Sequence, residues 1–117
     1  VGADVVLFDC PPTLNLITTN ALVAADSVLV PLQTEFFALE GLSQFMLTMR
    51  TVRDAANPRL RILGVALTMH DARNRLSMQV EADARANLGD LVFTTAIPRN
   101  VRLGEAASFG MPVLAYD

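Results

Sequence analysis

Asp9 stands directly after four apolar residues, Val5, Val6, Leu7 and Phe8, and directly before Cys10, Pro11 and Pro12. A run of that composition reads as a strand buried on both faces, which puts the acid at the tip of a rigid element. A carboxylate held there suits the orientation of a hydrated divalent cation, because a hard cation needs oxygen ligands at fixed geometry. The two prolines fix their own φ and restrict the residue before them, so the chain is stiffened just past the acid. Cys10 itself reads first as a small buried residue.

Two further stretches carry polar material after an apolar run: "TMHDAR" from Thr68 to Arg73 and "PRNVR" from Pro98 to Arg102. In open parallel sheets ligands bind beyond the carboxyl ends of the strands, so Asp9 and these two loops are expected to converge on one edge. His70, the only histidine, reads as a solvent-exposed loop residue with no metal or triad partner nearby in sequence. Glu35, just after the second apolar run, reads as a solvated loop carboxylate. Arg73, Arg75, Arg99 and Arg102 read as surface arginines unless something gathers them.

The elements needed to position these loops are legible as an alternation. "DVVLF", "SVLVPL" from Ser27, "RILGVALTM" from Arg61 and "LVFTTAI" from Leu91 are strand-like, and "PVLAY" reads as a last short strand. Between them, Asn15 to Ala25 looks helical with Asn15 as its N-cap. Leu39, Leu42, Phe45, Met46, Met49 and Val52 recur at three- and four-residue steps, which predicts an amphipathic helix over 39–56, ended by Asn57-Pro58. Leu76, Val80, Ala84 and Leu88 predict a third helix, with Gly89 as its stop. "RLGEAASF" predicts a short fourth, ending at Gly110. Strands alternating with helices argue for βαβ units and a three-layer α/β/α sandwich with a mostly parallel sheet, in which apolar strands are covered on both faces.

Composition narrows the class. With 117 residues, 52% hydrophobic and 18% charged, the chain supports one core and is too apolar to be disordered. Charges interrupt every longer apolar stretch, so no run is long enough to span a bilayer. A single cysteine excludes an internal disulfide framework and fits a reducing, cytoplasmic compartment. The net charge of −3 does not by itself advertise a nucleic-acid binder. All nine basic residues are arginine, so the lysine of a phosphate-binding loop cannot be here, and the six glycines are scattered.

Four apolar residues followed by Asp match the Walker B arrangement, and the longer stretches make the match specific. "DVVLFDCPPTLNLITTNALVAADSVLVPLQTEFFALEGL", "ILGVALTMHDARNRL" and "FTTAIPRNVRLGEAASFGMPVLAYD" resemble the ParA/Soj family of Walker-type ATPases, which segregate bacterial chromosomes and plasmids. Ala107 and Gly104 depart from the proline and serine usual in that family. The resemblance implies a partial P-loop NTPase domain and assigns roles residue by residue. Asp9 becomes the catalytic acid beside Mg²⁺, acting through a water. Cys10, Pro11 and Pro12 begin the switch II segment. Thr68, Met69, Pro98, Arg99 and Asn100 flank the nucleotide base, and Glu35 lies at the dimer interface. Arg73 and Arg102 contact DNA through its phosphates, with Arg75 as a further candidate and Arg99 divided between DNA and nucleotide.

The same resemblance implies ATP and Mg²⁺ as cofactors and a homodimer. It further implies non-specific DNA and a ParB-like centromere-binding protein as partners, a nucleoid-associated location and no membrane. The glycine- and lysine-bearing loop of the family would lie upstream of Val1, so residues 1–117 are expected to be one partial domain of a longer chain. The final C-terminal helix of the family is also expected to be missing. Alone, such a piece should not hydrolyse ATP. Two other readings stay open: a MinD-like ATPase that positions cargo or acts on a membrane, and a non-catalytic truncated module that pairs with a full-length homologue.

Overall fold

The computed structural model describes residues 2–116. Its first helix, α1 (Leu16–Ala24), starts where Asn15 turns its side chain onto the Thr18 amide at 3.0 Å, satisfying one of the free N–H groups that every helix start presents. At the other end, the Asn57 side-chain amide donates to the carbonyls of Leu22 and Ala25 at 3.0 and 2.7 Å. One residue thereby closes α1 and pins it to the end of α2 (Ala38–Ala55). The predicted spacing along α2 is borne out: Leu42, Met49 and Val52 are buried, and Leu39, Phe45 and Met46 pack beside them.

Strand β1 (Ser27–Gln33) follows α1, and β2 (Arg61–Thr68) follows α2. They pair in parallel, with a bulge after Val28, in a βαβ unit of the expected kind. Leu32, Val65 and Leu67 form the centre of one core cluster with Leu42 of α2, Ala84 of α3 (Arg75–Leu88) and Val92. Leu22, Met49, Val52 and Leu60 form a second. Each Val, Leu or Met side chain so buried contributes about 1.5–3 kcal/mol. Leu29 and Leu63 of the same strands remain exposed.

The seam of α3 is the expected one at Val80, Ala84 and Leu88, which packs on the first core cluster, but not at its first position. Ser77, Val80 and Ala84 are the buried positions, whereas Leu76 is exposed. Only this first position shifts by one residue, because Ser77 finds hydroxyl and amide partners inside. After α3 the chain turns through a 3₁₀ segment, Gly89–Leu91, with Gly89 at φ +56°.

Three of the expected strands need correction. Residues 5–8 form no regular element and make no ladder among the described residues, and Val5 and Leu7 are 73% and 89% exposed. Apolar composition made this run suitable for burial, but no described strand lies alongside to accept its hydrogen bonds. Asp9 and Cys10 are likewise exposed, so Asp9 does not project from a rigid strand tip and Cys10 is not a buried residue.

The run from Leu91 does lie parallel to β2, with Phe93 N donating to Val65 O at 2.9 Å and Ile97 N to Leu67 O at 2.8 Å. It forms isolated bridges only, since the carbonyls of Phe93 and Thr94 are taken by Arg85. The Phe93 ring lies over Gly64, where any Cβ would collide with it.

The last segment is a single helical turn, α5 (Val113–Tyr116), not a strand. Tyr116 draws it back onto α4 (Val101–Ser108) by stacking on Phe109, with ring centroids 5.7 Å apart, and by donating to Glu105 at 2.9 Å. No described helix is long and apolar enough to cross a membrane.

Candidate functional site

The carboxyl ends of β1 and β2 are stitched together by a chain of hydroxyls. Thr34 follows β1 directly, and its amide donates to Thr68 O at 3.1 Å. Its hydroxyl lies 3.1 Å from Met69 O and 2.7 Å from Ser77 Oγ, which in turn accepts from the Asp71 amide at 3.0 Å. Thr34 and Ser77 are only 4% and 3% exposed. One assignment satisfies every group: Asp71 N–H donates to Ser77, Ser77 to Thr34, and Thr34 to the Met69 carbonyl. In a low-dielectric interior such a chain strengthens each of its links.

This chain braces a strained loop. Met69 is left-handed at φ +54°, as is Phe37 at φ +68° after β1, and each such residue costs on the order of 1–2 kcal/mol. Both therefore sit at strand ends beside the same mouth. Phe36 and Phe37 there form an exposed edge-to-face pair.

The second loop is joined to the first through His70. Its amide donates to Ile97 O at 3.1 Å and its carbonyl accepts from Arg99 N at 2.9 Å. Its ring is half-buried, not a free loop side chain as expected, and lies 3.0 Å from Glu81. Thr68–Arg73 and Pro98–Arg102 thus converge as the sequence implied. Glu35 joins them across 3.8 Å to Arg99. Among the described residues nothing brings Asp9, Cys10, Pro11 or Pro12 into contact with these loops.

Thr68 and Met69 are half-buried here, while Pro98, Arg99 and Asn100 are exposed. Asn100 caps α4, its side-chain oxygen accepting from Arg102 N at 2.9 Å. That use leaves its amide nitrogen without a partner among the described residues. Met69 and Pro98 offer polarisable and flat apolar surface, and the free Asn100 amide offers a donor. This donor set fits the edge and face of a base.

The arginines are differently placed. Arg73 is 92% exposed and donates to Asp71, whose carboxyl it holds below the usual range. Arg102 pairs with Glu105 at 3.3 Å. Arg75 makes no ion pair among the described residues. With Ala72, Arg73, Asn74, Met78 and Gln79 it lines an open depression of about 460 Å³ at the start of α3. Exposed pairs of this kind contribute about 0–1 kcal/mol, so their arginines can exchange a carboxylate for a phosphate at little cost.

Sequence reasoning missed Thr34, Ser77, Glu81 and Arg85. Glu81 and Arg85 stand four apart on a helix, a spacing that signals an ion pair. Nothing in the sequence marks the Thr34–Ser77 contact, which joins residues 43 positions apart.

A family profile described as "AAA domain" matches residues 3–62. The chain is 63% identical over 112 residues to the chromosome partitioning protein ParA of Caulobacter vibrioides, covering 96% of this chain and 42% of that protein. It is 54% identical over 115 residues to the chromosome-partitioning ATPase Soj of Thermus thermophilus, covering 98% and 46%. The chain thus spans less than half the length of these relatives. Among solved structures it is similar to cobyrinic acid a,c-diamide synthase from Mycobacterium smegmatis with bound ATP analog and magnesium. That likeness has a TM-score of 0.68 and 41% identity over 80% of this chain and 37% of that one. The same enzyme with bound ADP and magnesium also gives a TM-score of 0.68, at 36% identity over 89% of this chain and 48% of that one. The parallel α/β core, the converging loops and these matches place the chain in the AAA-domain family of P-loop ATPases, as a member of its ParA/Soj branch.

Proposed function

We propose that this chain is the Walker B-side part of a longer ATP-dependent DNA-partitioning ATPase, which binds ATP and Mg²⁺, dimerises, coats DNA without sequence preference and moves a chromosome or plasmid. The observation that carries the reading is the zipping of the two loops through His70, which puts Arg73 and Arg102 on loops that share one edge of the sheet. Guanidinium groups on such an edge meet phosphates, and dimerisation would double their number despite the acidic net charge.

Within this reading, Thr68, Met69, Pro98, Arg99 and Asn100 hold the base, with Arg99 released from Glu35. Glu35 serves the dimer contact. The donor chemistry also fits magnesium, since Mg²⁺ keeps several waters and takes one or two carboxylates alongside phosphate oxygens. Asp9 is the carboxylate assigned to it, through a water, with Cys10, Pro11 and Pro12 as the stiff segment behind. When bound, the ion neutralises charge on the phosphates. The phosphate-binding loop, a ParB-like partner and a cytoplasmic, nucleoid-associated location complete the proposal.

The test uses the full-length protein. ATP hydrolysis and ATP-dependent DNA binding are expected together, and Asp9→Ala should abolish the hydrolysis. Mg²⁺-dependent turnover that survives Asp9→Ala would overturn the assignment of Asp9. ATP-dependent binding to anionic vesicles in place of DNA would overturn the partitioning role.

A further inference from the structure

One carboxylate in the middle of α3 ties down the whole segment that leads to the base-binding edge. One Glu81 oxygen lies 3.0 Å from His70 Nε2. The other accepts from Arg85 Nε and Nη2 at 3.1 and 3.0 Å. The two partners then hold opposite ends of the same stretch of chain. Arg85 donates to the carbonyls of Phe93 and Thr94 at 3.1 and 3.2 Å. His70 bonds through its backbone to Ile97 and Arg99. Among the described residues the stretch has only two backbone bonds to β2, from Phe93 and Ile97, and residues 94–96 between them have none, so the ladder fixes it sparsely. Pro98 and Asn100 lie at its far end. Glu81 itself is half-buried, its side chain 21% exposed, so water replaces its bonds only in part.

We propose that Glu81 is a positioning residue for nucleobase recognition, setting the Pro98–Asn100 edge through His70 at one end and Arg85 at the other. The proposal rests on the nucleotide-binding reading above, and it adds a residue that touches neither base nor phosphate. Misplacing a recognition edge by a fraction of an ångström weakens its directional hydrogen bonds while leaving apolar contact with any purine ring largely intact. Loss of Glu81 should therefore act on the discrimination between bases more than on nucleotide binding in general.

The experiment titrates fluorescent ATP and GTP analogues, with Mg²⁺, into the full-length protein and its Glu81→Ala, Glu81→Gln, His70→Ala and Glu81→Ala/His70→Ala variants, with thermal unfolding in parallel. Wild type is expected to prefer ATP. Glu81→Ala should lose about tenfold in that preference, the scale of one or two well-placed hydrogen bonds. His70→Ala should lose part of it, and the double variant should lose no more than Glu81→Ala alone. Glu81→Gln should keep more of the preference than Glu81→Ala. If Glu81→Ala does not fold, Glu81→Gln and His70→Ala read the same linkage. A lowered melting temperature with an unchanged ATP-to-GTP ratio would overturn the proposal and leave Glu81 a purely structural residue. Wild type that binds neither nucleotide would instead overturn the nucleotide-binding reading, and this proposal with it.

Discussion

His70 and Glu81, eleven positions apart, meet at 3.0 Å from a loop and a helix, with Arg85 on the opposite carboxylate oxygen. The guanidinium of Arg85 foremost, and then the His70 ring, hold the Glu81 carboxyl below the usual glutamate range, against the opposing effect of partial burial. A single acid is thus stabilised in its charged form at the point where α3, the Met69–Arg73 loop and the Phe93–Arg99 segment meet.

That shift has a pH consequence. A carboxyl with a depressed folded pKa contributes stability that is complete above its unfolded value, about 4.3, and is lost as the pH falls through the folded value. Thermal unfolding of wild type and Glu81→Gln from about pH 6 down to about pH 3 should show wild type more stable at the upper end and the gap closing with acid. A gap that is constant with pH would show that the charge of Glu81 is not what stabilises.

The hydroxyl chain makes a second prediction. Ser77→Ala leaves the half-buried Asp71 amide and the Thr34 hydroxyl each short of a partner, and Thr34→Val does the same to the Met69 carbonyl. Each should cost about 1–3 kcal/mol. Because the two act on one chain, the double variant should cost measurably less than the sum of the singles. Denaturant unfolding of the four proteins checks this, and strict additivity would argue against a coupled chain.

Core and surface leucines should separate cleanly. Leu67 is fully buried in the cluster with Val65 and Ala84, so Leu67→Ala should cost about 2–5 kcal/mol. Leu29→Ser, on a strand position that stays exposed in these 117 residues, should cost little in the isolated segment and reduce its self-association. Chemical denaturation and light scattering report the two effects.

These contrasts show what the sequence could and could not carry. Asn15, Asn57 and Gly89 announce helix ends through local chemistry, and the three-to-four spacing of Leu42, Met49 and Val52 fixes a buried face, so α1, α2 and the end of α3 were legible. Val5 to Phe8 show that an apolar run states a capacity for burial without naming what will bury it. Ser77 entered a helix seam in place of Leu76 because its partners arrive from β1 and from the loop before α3. The convergence of the His70 and Pro98 loops followed from the parallel βαβ pattern alone, whereas the bond from His70 to Glu81 depended on loop geometry that no spacing encodes.

The role of Arg73 and Arg102 in DNA binding is decided by the DNA affinity of the full-length protein as a function of salt, with and without ATP, for wild type, Arg73→Ala and Arg102→Ala. Binding is expected to require ATP and its logarithm to fall linearly with the logarithm of salt, each substitution weakening binding alike on all sequences and lowering the slope by about 1. An affinity indifferent to ATP, or slopes unchanged by both substitutions, would contradict it.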